Sequence, residues 1–212
     1  MRHTSLGTKT RKTRQHEGQE RSLFRGFVLS WFRVGTVVVW VSLTVVGTAQ
    51  TVPQEIVVAS AALKADQPIP RDYTADGHNW SPPLTWSHVP AATKELAVMC
   101  EDPDAGNPPP FVHWVIYKIP ATAKGLSENI PFEQGTPMPP EIAGAIQGLS
   151  GFRRPFYRGP APPPGKVHHY HFVVYALDAS LDLKPGLTRA DLLAAIQGHV
   201  IGQGELVATY QR

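Results

Sequence analysis

Glu101-Asp102-Pro103-Asp104-Ala105-Gly106-Asn107-Pro108-Pro109-Pro110-Phe111-Val112-His113-Trp114 joins two apolar runs through a proline-rich loop. The runs, Leu96–Cys100 and Phe111–Ile119, are short, aromatic and β-branched, with turn residues between them, and read as strands. In the first, period two places Leu96, Val98, Cys100 and Asp102 on one face. In the second, His113, Val115 and Tyr117 are predicted to share a face. An acid and a histidine therefore sit at adjoining ends of neighbouring strands, each on a side expected to be buried. Burying polar groups is costly unless they are paired, so these two are expected to answer each other or a ligand.

Working outward, the 212-residue chain is long enough for one ordinary domain. Its first 49 residues differ from the rest. Residues 1–33 hold eight Lys/Arg against Glu17 and Glu20 alone, and Val34–Val46 carries no charge. Gly47-Thr48-Ala49 then offers small residues for a cut before Gln50. A basic region, an apolar region and an A-x-A-like site form the layout of a secretory signal. The expected location is the periplasm or outside the cell. The alternative is an uncleaved N-terminal anchor, for which the apolar run is short against the roughly 20 residues of a bilayer span. Taking the leader's 8 basic and 2 acidic residues from totals of 20 and 17 leaves 12 basic and 15 acidic, a net charge of −3. The mature domain thus has no basic excess with which to bind nucleic acid. Its single cysteine, Cys100, excludes an intramolecular disulfide and falls on an apolar strand face, where burial is expected.

Residues 50–212 carry all 21 prolines and no repeat or charge run. They read as one mostly antiparallel β domain with irregular Pro-rich loops. Ile56–Ala61 is a first predicted strand. Pro68–Trp86 reads as a long connection, with a turn at Asp76-Gly77 and a corner at Ser81-Pro82-Pro83-Leu84 whose X-Pro bond is a candidate for cis. Trp80 and Trp86 beside that corner are expected to pack on the core. Ala121–Leu149 reads as loops with one helical turn. Thr188-Arg189-Ala190-Asp191 resembles a capping box, Leu192, Leu193 and Ile196 give a helical stripe, and Gly198 is a stop. Gly204–Tyr210 is a closing strand.

The second informative segment is Tyr157-Arg158-Gly159-Pro160-Ala161-Pro162-Pro163-Pro164-Gly165-Lys166-Val167-His168-His169-Tyr170-His171, a rigid loop feeding a strand. Alternation puts His168 and Tyr170 on one face and His169 and His171 on the other. The loop's free N–H groups at Gly159, Ala161 and Gly165 are candidates to face a ligand. Three chemistries compete. Asp102, His113, His168 and Tyr170 suit an anion pocket, with imidazolium and phenol donors and a carboxylate that orients a ring and favours its protonated form. Asp104 is expected to serve structure, by binding amides of the 107–110 loop. His168, His169 and His171 with an acid are a metal alternative, unsupported by any Cys cluster or H-E-x-x-H pattern. Hydrolysis is the third. Ser150 lies in Gly148-Leu149-Ser150-Gly151-Phe152, which lacks the last glycine of G-x-S-x-G.

Asp76-Gly77, Ser81-Pro82-Pro83-Leu84-x-Trp86, Asp102-Pro103-Asp104-Ala105, His113-Trp114-Val115 and Tyr157-x-Gly159-Pro160-x-Pro162-Pro163-x-Gly165 with His168-x-Tyr170 occur in this order. Together they resemble the phosphatidylethanolamine-binding protein family, most closely its bacterial Raf-kinase-inhibitor-like branch, over about residues 56–212. The resemblance implies a mainly β domain over 50–212, with a large antiparallel Greek-key sheet, a smaller sheet and few short helices. It implies a non-enzymatic protein that binds phosphate or phospholipid head groups, with Asp102, His113, His168 and Tyr170 in the pocket and Gly159 and Pro160 on its rim. It requires no cofactor. A protein partner of the protease or kinase class, inhibited through the surface, is the alternative function, and a homodimer is a further expectation. This chain departs from the family pattern at four places. His169 stands where Arg is usual, which makes any ion pair there pH-dependent. Gly106 replaces a proline, Ala75 replaces a cysteine, and Phe152-Arg153-Arg154 replaces a Gly-rich turn and is expected to add positive charge near the pocket.

Overall fold

The computed structural model describes residues 52–106, 108–132 and 136–212. The expected leader over 1–49 lies outside the described residues. Among the described residues nine strands and one α-helix follow in order: β1 Gln54–Glu55, β2 Val57–Ala59, β3 Leu84–Ser87, β4 Glu95–Asp102, β5 Phe111–Pro120, β6 Gly125–Leu126, β7 Ile146–Gln147, β8 His168–Leu177, α1 Arg189–Ile196 and β9 Val200–Tyr210.

The two runs flanking the Pro-rich loop are β4 and β5, paired antiparallel as expected. The large sheet has the order β1-β9-β8-β4-β5-β7. Within it β8 returns beside β4 after the succession β4, β5, β7, which is Greek-key topology. The sheet is mixed rather than wholly antiparallel, because the short β1 pairs parallel with β9. A small antiparallel sheet, β2-β3-β6, supplies Val58, Leu84, Trp86 and Leu126 to a core shared with Leu96, Val98, Cys100, Phe172 and Val174 of the large sheet. The opposite face of the large sheet is also covered. Leu192 and Ile196 of α1 join Ala97, Met99, Val115 and Tyr117 there. Burial on both faces explains why β4 is apolar almost throughout rather than alternating.

The helix begins as the capping box predicts. Thr188 Oγ1 accepts from Asp191 N–H, and the Asp191 carboxylate accepts from Thr188 N–H at 3.0 Å. Gly198, at φ 82°, follows the helix in the left-handed conformation. Arg189 Nε donates to Glu101 Oε1 at 2.6 Å, tying α1 to β4.

Four local expectations are corrected. The connection Pro68–Trp86 contains β3, a four-residue strand beginning just after the two prolines. The 121–149 segment holds two short strands and a 3-10 turn at Pro140–Ile142, each too brief to leave a period. The first strand is split, because Ile56 N–H donates to Gln203 O on β9 while Val57–Ala59 pairs with β3. The cis bond among the described residues is Pro108–Pro109, not one at the 81–84 corner. Trp86 does pack on the core and donates from Nε1 to Ala123 O at 2.8 Å.

Strand β5 is bulged twice relative to β4. Cys100 faces Trp114 and Glu101 faces Val112, so His113 is an extra residue on β5. A second extra residue falls between Ile116 and Ile119, where Lys118 takes φ 56° and reaches Glu95 Oε1 at 3.3 Å. Bulges re-aim side chains, and the first one moves His113 off the face it was expected to share with Val115 and Tyr117.

The 157–165 loop is docked onto the 71–79 turn. Tyr157 Oη donates to Tyr73 O at 2.7 Å, Gly159 N–H to Asn79 Oδ1 at 2.8 Å, and Ala75 N–H to Pro160 O at 2.9 Å. A Cβ on Gly159 would stand 2.3 Å from Tyr73 O, a backbone atom that cannot swing aside. Gly159→Ala is therefore expected to lower stability by roughly 1–3 kcal/mol, the usual range for overpacking, measured as a reduced urea midpoint. An unchanged midpoint would show that this close approach is dispensable. Arg189→Met would strand the mostly buried Glu101 carboxylate, and a loss of about 1–3 kcal/mol is expected in the same assay.

Candidate functional site

At one end of β4, β5 and β8 lies a cavity of about 620 Å³. The buried end of β4 delivers Asp102, the β5 bulge delivers His113, and β8 delivers His168 and Tyr170 on one face, as alternation predicts. All four line the cavity, together with Asp104, Phe111, Phe152, Arg158, Lys166 and the apolar wall from Ala161 to Pro164.

Asp102 is 2% exposed and both its oxygens are engaged. Oδ2 accepts from His168 Nδ1 at 2.8 Å and Oδ1 from Asp104 N–H at 2.9 Å. The second bond is an Asx-type turn that closes the start of the Pro-rich loop. The acid thus answers His168 on β8, not His113 on the adjoining strand.

His113 is clamped from the other side. Its Nδ1 lies 2.6 Å from Arg158 O, while Arg158 N–H donates to His113 O at 3.1 Å. A carbonyl only accepts, so Nδ1 carries the hydrogen and Nε2 is the nitrogen left for the cavity. The ring meets Tyr170, Phe111 and Phe152 edge-on at centroid distances of 5.2, 5.3 and 5.8 Å. Burial holds its pKa below the ordinary histidine value, against smaller raising effects of the Arg158 carbonyl and the Asp102 charge. This corrects the expectation that both histidines act as imidazolium donors, since burial favours neutral His113. Tyr170 is shifted upward, first by burial, then by the Asp102 charge and a hydrogen bond to that carboxylate, so its phenol keeps its proton.

The remaining predicted residues fall as follows. Gly159 and Pro160 do not line the cavity. They are buried and hold the loop to the 71–79 turn. Nor do the loop amides at Gly159 and Gly165 face a ligand, being spent on Asn79 and on Arg212 O. Asp104 serves structure through β8. Its Oδ2 accepts from His169 N–H and Nδ1, both at 2.8 Å, and the side-chain bond lowers its pKa. His169 therefore does form an acid pair in the place where Arg is usual.

The metal alternative is not assembled. His168, His169 and His171 face three different carboxylates, Asp102, Asp104 and Glu205, and no cluster of three potential ligands occurs among the described residues. Ser150 donates to Arg154 O at 3.0 Å and closes a turn. Cys100 is buried and its thiol pKa is pushed up by burial.

Sequence reasoning missed Phe111, Arg158 and Lys166 at the site. The cations on the lining are these two, not Arg153 and Arg154, while Phe152 enters as an aromatic wall with Arg158 Cζ 4.8 Å from its ring centroid. These positions sit in loops or at a bulge, where no period places a side chain. The Gly/Pro framing of Arg158 was the available signal.

Residues 59–211 match the family of phosphatidylethanolamine-binding proteins. A protein of Methanothermobacter thermautotrophicus described as a UPF0098 protein is 46% identical over 144 residues, covering 68% of this chain and 91% of its own. A UPF0098 protein of Pyrococcus abyssi is 41% identical over 75% of this chain and 87% of its own. Among solved structures, E. coli YBCL, described as a new member of the mammalian PEBP family, has a TM-score of 0.68 at 32% identity, covering 74% of this chain and 98% of that one. A Chlamydia trachomatis protein described as a putative PEBP homolog has a TM-score of 0.65 at 33% identity, covering 75% and 99%. The chain belongs to the phosphatidylethanolamine-binding protein family.

Proposed function

We propose that this protein is an exported, non-enzymatic binder of phosphate-bearing head groups, phosphoethanolamine among them, in the cavity formed by Asp102, His113, His168 and Tyr170. One observation carries the reading. Nδ1 of both histidines is taken by the protein, so both Nε2 atoms are left for an occupant of a cavity that Tyr170, Arg158 and Lys166 help to line. The rings are pre-oriented, so little side-chain entropy is lost on binding. Asp102 does not meet the ligand as a bare repelling charge, since His168 and the Asp104 amide take up its oxygens. The basic, apolar layout of residues 1–49 supports export, with cleavage after Ala49.

Hydrogen bonds to a charged group contribute roughly 1.5–3 kcal/mol. His168→Ala and Tyr170→Phe are each expected to weaken phosphoethanolamine binding about tenfold or more in calorimetry on residues 50–212. Wild-type affinity in both variants would remove these residues from the site.

The pH dependence follows from His113. In the free protein its pKa lies below the ordinary value of about 6.5. A bound anion and the buried ring share one proton at His113 Nε2, so binding of a ligand that lacks that proton takes one up. Affinity then grows as pH falls through the bound-state pKa, and the gain is complete below the free-state pKa. The slope is at most about tenfold per pH unit for one proton. Tighter binding at pH about 6 than at about 7.5 is expected, and affinity that is flat or falls toward acid would contradict a proton-coupled site.

A further inference from the structure

The donors at this site, Arg158 and Lys166, suit any tetrahedral anion. They do not tell a phosphate from a sulfate, or a monoester from a diester. Discrimination must come from acceptors, and the site contains two that are deeply buried. One is the Asp102 carboxylate, whose oxygens keep a lone pair beyond the bonds from His168, the Asp104 amide and Tyr170. The other is Nε2 of His113, a lone pair while the ring is neutral, because the clamp to Arg158 O fixes the hydrogen on Nδ1. His113 is 4% exposed and packed against three aromatic rings, surroundings poor at solvating a positive ring.

The groups facing His113 from each neighbouring element are Asp102 from β4, His168 and Tyr170 from β8, and Arg158 from the loop. Arg158 and His168 oppose a charge on the ring and Asp102 favours one. The Asp102 carboxylate is already shared with His168 Nδ1 and the Asp104 amide. Burial adds to the opposition and outweighs both the bond to the Arg158 carbonyl and the Asp102 charge.

An anion with no proton would place bare oxygens against these lone pairs, or would have to charge a buried ring. A phosphate monoester can bring its own proton, because its second pKa lies near 6 and a share of it is still the protonated monoanion just below neutral pH. Its P–O–H can donate to His113 Nε2 while its other oxygens accept from the cations. We propose that the cavity selects inorganic phosphate and phosphomonoesters over phosphodiesters and sulfate, because the buried acceptors His113 and Asp102 require a proton donated by the ligand. This inference rests on the anion-pocket reading above and narrows it. The head group of an intact phospholipid is a diester, so the preferred ligand is a free monoester.

The test is calorimetry on residues 50–212 at pH about 6.5, above the lowered His113 pKa and near enough to the monoester's second pKa for a sizeable share of it to carry the proton. Two matched pairs are titrated, inorganic phosphate against sulfate, and phosphoethanolamine against glycerophosphoethanolamine. Sulfate has the size and shape of phosphate but carries no proton near neutral pH. Each proton-bearing member is expected to bind at least about tenfold more tightly than its partner, because a site that needs a donated hydrogen bond rejects the analogue lacking it. His113→Gln replaces the lone pair by an amide that can donate as well as accept, and should move both ratios toward one. The wild-type ratios stand as a test even if that variant fails to fold. Sulfate or the diester binding as well as its partner would overturn the selectivity and leave the anion pocket standing, and a preferred diester would point to intact lipid. Binding of none of the four would overturn the pocket reading itself.

Discussion

A carboxylate at 2% exposure is the constraint on which this site depends. Asp102 could not lie at the buried end of β4 as an unpaired charge, since an ion taken out of water must be compensated by partners. Its partners come from two directions, His168 on β8 and the Asp104 amide in the following loop. The first bond orients a ring at the cavity. The second shapes the turn that begins the Pro-rich loop, and Asp104 in turn receives the backbone and ring of His169. One buried charge therefore sets the geometry of a strand end, a loop and the start of β8. Removing it would strand a histidine and an amide as well.

How much of this was legible in the sequence depended on periodicity. Alternation placed His168 and Tyr170 together correctly, because β8 runs ten residues and pairs without a shift along its whole contact with β4. It also placed Asp102 correctly, on the face of Leu96, Val98 and Cys100. It failed for His113. Period two groups that residue with Val115 and Tyr117, but the bulge opposite Cys100 and Glu101 inserts one residue and reverses the face. No local residue signals this bulge, which depends on pairing with β4 rather than on the β5 sequence alone. The residue chemistry and the family resemblance both group His113 with Tyr170, whereas the strand period alone turns it away.

Loops set the other limit. The family resemblance implies Gly159 and Pro160 at the rim, and rigid, donor-bearing loops do cradle ligands. The same chemistry serves docking equally well. Gly159 carries no side chain because Tyr73 O lies where a Cβ would be, and its N–H is spent on Asn79. The loop reaches the cavity through its apolar wall, Ala161 to Pro164, and through Arg158. Its carbonyl takes the His113 ring hydrogen, its amide bonds the His113 carbonyl, and its guanidinium covers Phe152. A residue read only as a spacer between Tyr157 and Gly159 holds the tautomer of the ring across from it.

The charge pattern of the cavity then acquires a direction. Its two cations, Arg158 and Lys166, are both exposed, while the acceptors Asp102 and His113 are buried. Exposed charge attracts any anion at long range, with a strength that salt screens within a Debye length of about 8 Å at physiological ionic strength. Buried acceptors act only on what has entered, where the lower dielectric magnifies an unmade hydrogen bond. The fold produces this separation without special devices. The cations lie on loops because long charged chains keep their heads in water. The acceptors lie at strand ends because β4 and β5 are covered on both faces and can hold polar groups only where partners converge. Attraction and discrimination are thus assigned to different depths of one cavity by the same burial that stabilises the sheet.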